Sequence, residues 1–302
     1  MTLRQQIRAN RLRTAWLLVA FAVLIGLLAG ALDAVYGGPA ALALVIGGVA
    51  WALFSWFLSS RVVAGVTGAH VVTKAEQPEL YRIVENMSIA AGLPLTPEVR
   101  LVDDPAPNAF AAGRDPKHTF VAVTTGLLET MDQRELEGVI SHEIAHVQHR
   151  DVRLMTLVAV LVGVIAMISD ITLRMTLYGG GRRRGGNAGA IVLVVGLVGL
   201  IIAPLAAMGI QMSISRRREY LADAGGAEIS GDAEGLALAL RKLAGDTREI
   251  RDTSRSTAHL YIEGPLGKAS GLRSAFSGLF NTHPPLEDRI AALEQIGGFK
   301  LP

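Results

Sequence analysis

Hydrophobic and polar positions along this chain fall into two regimes, long uncharged runs and amphipathic stretches. No charge occurs from Thr14 to Leu32 or from Ala34 to Ser60. Each run is long enough for a helix to cross a hydrocarbon core of about 30 Å. Leu154 to Leu173 is a third run, interrupted by Asp170 near its end, and Ala188 to Ser215 is a fourth. The pattern predicts four spans, at about 14–32, 40–58, 154–173 and 190–213, with the glycine-rich turn Asp33 to Pro39 joining the first two into a helical hairpin. A secretory signal could mimic the first run. A second run follows at once, however, so the expectation is an anchor.

The polar stretches have helix and strand signatures of their own. Asp132 and Glu135 form a D-x-x-E capping box ahead of Leu136, Val139, Ile140, Ala145 and Val147, predicting a helix of about five turns with one buried side. Ala109 to Gly113 and Thr119 to Thr125 read as two strands of a hairpin around the turn Arg114 to Lys117. Pro284 and Pro285 open a helix that runs from Leu286 to Ile296. The chain thus divides into a tail and first apolar hairpin (1–61), a polar piece (62–153), a second apolar hairpin (154–215) and a second polar piece (216–302). Four spans place both polar pieces on the same side, where they assemble one water-exposed domain.

Arginine placement orients the whole. Arg4, Arg8, Arg11, Arg13, Arg61, Arg150, Arg153 and Arg216 to Arg218 flank the runs on the polar-domain side. Arg174 and Arg182 to Arg184 lie on the other. The positive-inside rule therefore puts the polar domain in the cytoplasm. The Arg182 to Arg184 cluster keeps open a re-entrant third and fourth run. Half of the residues are hydrophobic, 19% are charged and the net charge is only +2, with a mean hydropathy of +0.38. That balance favours a lipid bilayer as partner and argues against nucleic acid. Cysteine is absent, which removes Cys-ligated structural metal and fits a reducing compartment.

The sharpest chemistry is His142-Glu143-Ile144-Ala145-His146. On a helix, positions i and i+4 share a face, so two imidazoles can take two corners of one zinc tetrahedron. Glu143 then stands beside the attacking water as general base, and afterwards as acid toward the leaving amine. A third protein ligand is needed. His149 lies about 10 Å along a continuous helix from His142, too far for a shared metal, and reads as a histidine at the end of the helix. Taken alone, Glu219 reads as a surface glutamate paired with an arginine. Its i+4 partner Asp223 changes that picture, because one carboxylate can ligate zinc while the other accepts the distal N–H of a ligand histidine.

H-E-x-x-H followed on a later helix by E-x-x-x-D, both woven between apolar runs, resembles the HtpX-type heat-shock membrane proteases. These are gluzincin relatives of the integral-membrane CAAX prenyl endopeptidases. The resemblance extends to Pro107 to Ala111, Thr124 to Leu128 and Thr282 to Pro285. It implies a mainly α membrane protein, a four-span helical bundle carrying an α+β gluzincin-type domain with a small β-hairpin or sheet. It also implies one Zn²⁺ per chain held by His142, His146 and Glu219, with Glu143 catalytic and Asp223 behind a ligand. Asn108 and His283 are implied to face the substrate and assist catalysis, and Phe110 and Arg289 to contact substrate. Misfolded or unfolded membrane proteins are the implied substrates, within quality control and stress response in the bacterial inner membrane. Two other readings are a CAAX-type prenyl-protein protease, for which four spans are too few, and a non-proteolytic scaffold with structural zinc, which has no need of Glu143. The ligand helices are expected to continue into the third and out of the fourth run. The hairpin at Ala109 to Thr125 would then offer an edge strand to an extended substrate.

Overall fold

The computed structural model describes residues 57–115, 117–152, 216–246 and 284–301, with Thr156, Arg248 and isolated positions between 12 and 54. The four expected spans therefore lie almost wholly outside the described residues, as does His283. No helix among the described residues is long and apolar enough to cross a membrane. The described positions of the first two runs are helical and carry exposed large apolar side chains. Leu12, Trp16, Val19 and Val23 share one helical face by their spacing, and so do Leu42, Ile46, Leu53 and Phe57.

Helix α1 (Ser59–Thr67) continues from the second run: the N–H of Leu58 bonds to the Phe54 carbonyl and that of Val62 to the Leu58 carbonyl. The boundary expected between residues 61 and 62 thus falls inside a helix. Strand β1 (His70–Val71), helix α2 (Pro78–Ala90) and strand β2 (Glu98–Val102) follow. Next come β3 (Ala109–Gly113), β4 (Thr119–Thr124) and the short α3 (Thr125–Thr130).

The expected hairpin is present, with Ala109 opposite Val123 and Gly113 opposite Thr119. It belongs to a four-stranded mixed sheet of order β1-β2-β4-β3, in which β2 and β4 run parallel. Both faces of the hairpin are covered, which explains the unbroken apolar run Phe120 to Val123. Ala109, Ala111, Val121 and Val123 point into the main core with α2 and the helix carrying His142. Phe110, Ala112, Phe120 and Ala122 point the other way, against Val63 and Ala64 of α1.

Helix α4 (Gln133–His149) starts at the expected capping box. Asp132 accepts the Glu135 N–H at 2.9 Å, and the Glu135 carboxylate accepts the Asp132 N–H at 2.8 Å. Such a cap stabilises by about 1 kcal/mol. The far end departs from expectation. Arg150 adopts the left-handed conformation (φ 60°, ψ 24°), at a cost of roughly 1–2 kcal/mol for a residue with a Cβ. Helical structure resumes at Asp151 and Val152, so the helix is interrupted at Arg150.

Helices α5 (Arg216–Ser230), α6 (Ala233–Gly245) and α7 (Leu286–Gly297) come from the second polar piece; α5 and α6 pack on α4 and on each other, and α7 packs on both of them. Leu236, Leu240 and Leu293 enter the same core as Val139, Ile140 and Ile144. Two glycines permit this close packing. A Cβ on Gly226 of α5 would stand 2.9 Å from the His142 backbone nitrogen, and one on Gly138 of α4 would stand 2.6 Å from that of Leu236. The first of these contacts brings α5 directly against the H-E-x-x-H segment.

Candidate active site

Three helices converge on one buried polar cluster. α4 supplies His142, Glu143 and His146, α5 supplies Glu219 and Asp223, and α7 supplies Arg289, each at most 6% exposed. The i, i+4 spacing sets the two imidazoles edge to face, with ring centroids 4.8 Å apart. Nε2 of His142 lies 3.8 Å from one Glu219 oxygen, and Nε2 of His146 lies 3.7 Å from the other. One ligand atom from each of the three residues falls within 4.8 Å of the others. Metal–ligand bonds near 2 Å require tetrahedral donors about 3.3 Å apart, so two imidazoles and a carboxylate at these separations suit a single small cation. These residues fit a metal site.

The partners of the ligands are ordered as well. Asp223 Oδ1 is 2.9 Å from Nδ1 of His142, which leaves Nε2 of that ring directed at Glu219. Arg289 grips Asp223 with two bonds, Nε to Oδ2 at 2.9 Å and Nη2 to Oδ1 at 2.6 Å. A buried carboxylate is costly unless it is paired, and this bidentate contact supplies the pairing.

Burial, reinforced by the Arg289 charge, pushes His142 down to about 4, so the ring is neutral and ready to bind a metal. Burial opposes a charged His146, but the Asp151 hydrogen bond and the Glu219, Asp151 and Glu143 charges outweigh it and lift His146 to about 9. A metal must displace that proton, so uptake weakens as pH falls. Burial pushes Glu143 up to about 7, with Glu219 adding to the rise and His146 and the Ala111 backbone N–H opposing it. A carboxylate poised near neutrality suits a group that takes and returns a proton. The Ala111 contact also places strand β3 beside Glu143. Among the described residues β3 pairs only with β4, so its other edge faces this cluster.

The residues singled out from the sequence fare differently. His142, Glu143, His146, Glu219 and Asp223 stand together. Asn108 is buried at the head of β3, where its N–H donates to Thr124 and its side-chain oxygen accepts the Ala109 N–H.

Phe110 was expected to contact substrate. Strand alternation turns its side chain to the α1 face, where it is fully buried and packs edge to face on Phe120 at 5.9 Å. Arg289 shared that expectation. It lies in the site, fully buried and engaged with Asp223, where it steadies the carboxylate behind His142.

Asp151 was not anticipated. It is fully buried, with Oδ2 3.4 Å from Nδ1 of His146. A helix continued past His149 would have carried it elsewhere, and nothing in the residue type of Arg150 announces the left-handed turn. His149 is buried at the end of α4 and stands outside the three-residue metal cluster.

A mixed sheet flanked by helices, with H-E-x-x-H on one helix and a glutamate from a later one, defines a metallopeptidase. The model of Peptidase family M48 matches residues 74–297, and the chain belongs to that family. Its relatives include the "Protease HtpX homolog" of Tropheryma whipplei (strain Twist), 44% identical over 294 residues, which are 96% of this chain and 97% of that protein. The "Protease HtpX homolog" of Lactobacillus helveticus is 40% identical, covering 97% of this chain and 100% of its own length. The crystal structure of S. mikatae Ste24p shares the fold at a TM-score of 0.50 and 18% identity, covering 96% of this chain and 66% of that one. This chain is a metalloprotease.

Proposed function

We propose that this metalloprotease is a zinc endopeptidase of the bacterial cytoplasmic membrane that cuts misfolded or damaged membrane proteins on the cytoplasmic side. The buried cluster of His142, His146 and Glu219, with Glu143 between the two histidines on one helix, carries the reading. Those three residues would hold one Zn²⁺, which would supply Lewis-acid polarisation of the scissile carbonyl and of the attacking water. Glu143 accepts the proton of that water as its oxygen attacks, and returns it to the departing amine. Asp223, backed by Arg289, holds the His142 ring in its binding tautomer. Asn108 and His283 steady the developing oxyanion, a role they take from the family resemblance.

The edge of β3 beside Glu143, which pairs with no other strand among the described residues, receives the substrate as an added strand in exchange for the bonds its Ala109, Ala111 and Gly113 N–H groups make to Asn108, Glu143 and Thr156. Main-chain hydrogen bonding of this kind reads extension and accessibility more than sequence, which suits damaged chains. Location in a bilayer is supported by the four apolar runs, by the exposed apolar faces at Leu12 to Val23 and Leu42 to Phe57, and by the arginines beside the runs. In this reading the runs cross as two hairpins and the polar pieces share one side.

Two measurements test it. Purified protein in detergent is expected to cleave an unfolded casein, to lose at least about 90% of that rate on chelation, and to regain it on adding stoichiometric zinc. Cleavage indifferent to chelator sinks the zinc mechanism. Because the chain lacks cysteine, single-cysteine labelling in intact cells is clean. Lys117→Cys should be shielded from an impermeant reagent while Gly37→Cys reacts. The opposite pattern would turn the catalytic face outward and remove the cytoplasmic reading.

A further inference from the structure

His142 and His146 are each met by a carboxylate, and each carboxylate by an arginine. On one side Asp223 contacts Nδ1 of His142 and pairs with Arg289. On the other, Asp151 Oδ2 lies 3.4 Å from Nδ1 of His146, and Arg218 Nη1 lies 4.0 Å from Asp151 Oδ1. Asp151 and Arg218 are both buried, at 0% and 4% exposure. Arg218 immediately precedes Glu219, so this second set ties together the two helices that carry the metal cluster.

The backbone is bent to make the contact. At 100° per residue, a position five beyond His146 on a continuous helix points about 140° away from it and cannot reach its ring. Arg150 breaks the helix there, and it is the only non-glycine residue with positive φ among the described residues. The chain turns back and carries the Asp151 carboxylate onto the ring of His146. A strained conformation persists where the surroundings over-determine it, and here the return contact is to a ligand histidine.

We infer that Asp151 is a positioning residue for the metal centre: held by the left-handed Arg150 and flanked by Arg218, it fixes the His146 ring with Nδ1–H toward Asp151 and Nε2 toward the metal. The inference rests on reading His142, His146 and Glu219 as the zinc site. Its contact is longer than the 2.9 Å of the Asp223 pair, so His146 is the less tightly held ligand and its support the more easily lost. Carboxylates behind metal-binding histidines are worth roughly 10–100-fold in metal affinity.

The test measures zinc affinity of the purified full-length protein by competition with a chromophoric chelator. It is paired with the visible spectrum of the cobalt-substituted form and the melting temperature of the metal-free form. Asp151→Ala is expected to weaken zinc binding by about 50-fold and to alter the cobalt spectrum. Asp151→Asn, which can still accept the Nδ1–H but lacks the charge, should weaken it by about tenfold and keep a near-native spectrum. Should the alanine variant not fold, the asparagine variant decides alone, and wild-type zinc affinity in it overturns the inference. A purely structural Asp151 would lower the metal-free melting temperature of either variant and leave the affinity of the folded molecules unchanged. Absence of zinc binding in the unaltered protein would remove the zinc reading itself. Tight wild-type binding with unchanged Asp151 variants would remove only this inference.

Discussion

Glu143→Gln is expected to keep its metal and lose peptide hydrolysis by at least about a hundredfold. The substitution is nearly isosteric, and Glu143 is 4% exposed in a packed helix, so the amide occupies the same space without reshaping the cluster. What disappears is the capacity to accept a proton. Glu143 is not one of the three residues that converge as ligands, and therefore metal content per chain should equal that of the unaltered protein. Turnover of an unfolded protein substrate and metal analysis on one preparation check both halves. Wild-type turnover in a fully metallated variant would show that the proton leaves by another route.

Glu219→Ala is expected to act one step earlier. It removes one of three protein donors, and two imidazoles alone hold a metal poorly, so affinity should fall by more than about a hundredfold and activity with it. The change also leaves Arg289, 3.9 Å from a Glu219 oxygen, with Asp223 as its remaining close carboxylate in this buried cluster. Excess buried positive charge beside the histidines further opposes a cation. Metal content after dialysis at fixed free zinc reads the effect directly. A variant that still retains one tightly held metal per chain would show that the carboxylate is not a ligand.

How far these residues could be read from the sequence depended on the range of the interaction that places them. The α4 helix was legible because its capping box, apolar face and H-E-x-x-H spacing all lie within one local segment. The β3–β4 hairpin was legible for the same reason. β1 and β2 were missed: one is only two residues long, and the parallel pairing of β2 with β4 joins residues 98–102 to 120–124 with no turn between them to mark it. The orientation of Phe110 depended on which sheet face α1 covers, which the strand's own pattern leaves open because both faces are buried. Asp223 followed from its i+4 relation to Glu219, whereas Asp151 depended on a left-handed arginine that no local rule predicts. The predicted spans and His283 lie outside the described residues, and their roles rest on hydropathy, arginine placement and family resemblance.

The cluster draws its side chains from positions 142 to 289, on three helices separated by long intervals of chain. A ribosome making this protein must therefore finish Glu219 before any donor set is complete, and must then release α7 before Arg289 can neutralise Asp223. Synthesis proceeds from the N-terminus at a few to tens of residues per second, so the H-E-x-x-H helix waits several seconds for its partners. During that interval the two histidines lack their third donor. Order of synthesis thus keeps the donor set incomplete until the chain has been made as far as Glu219.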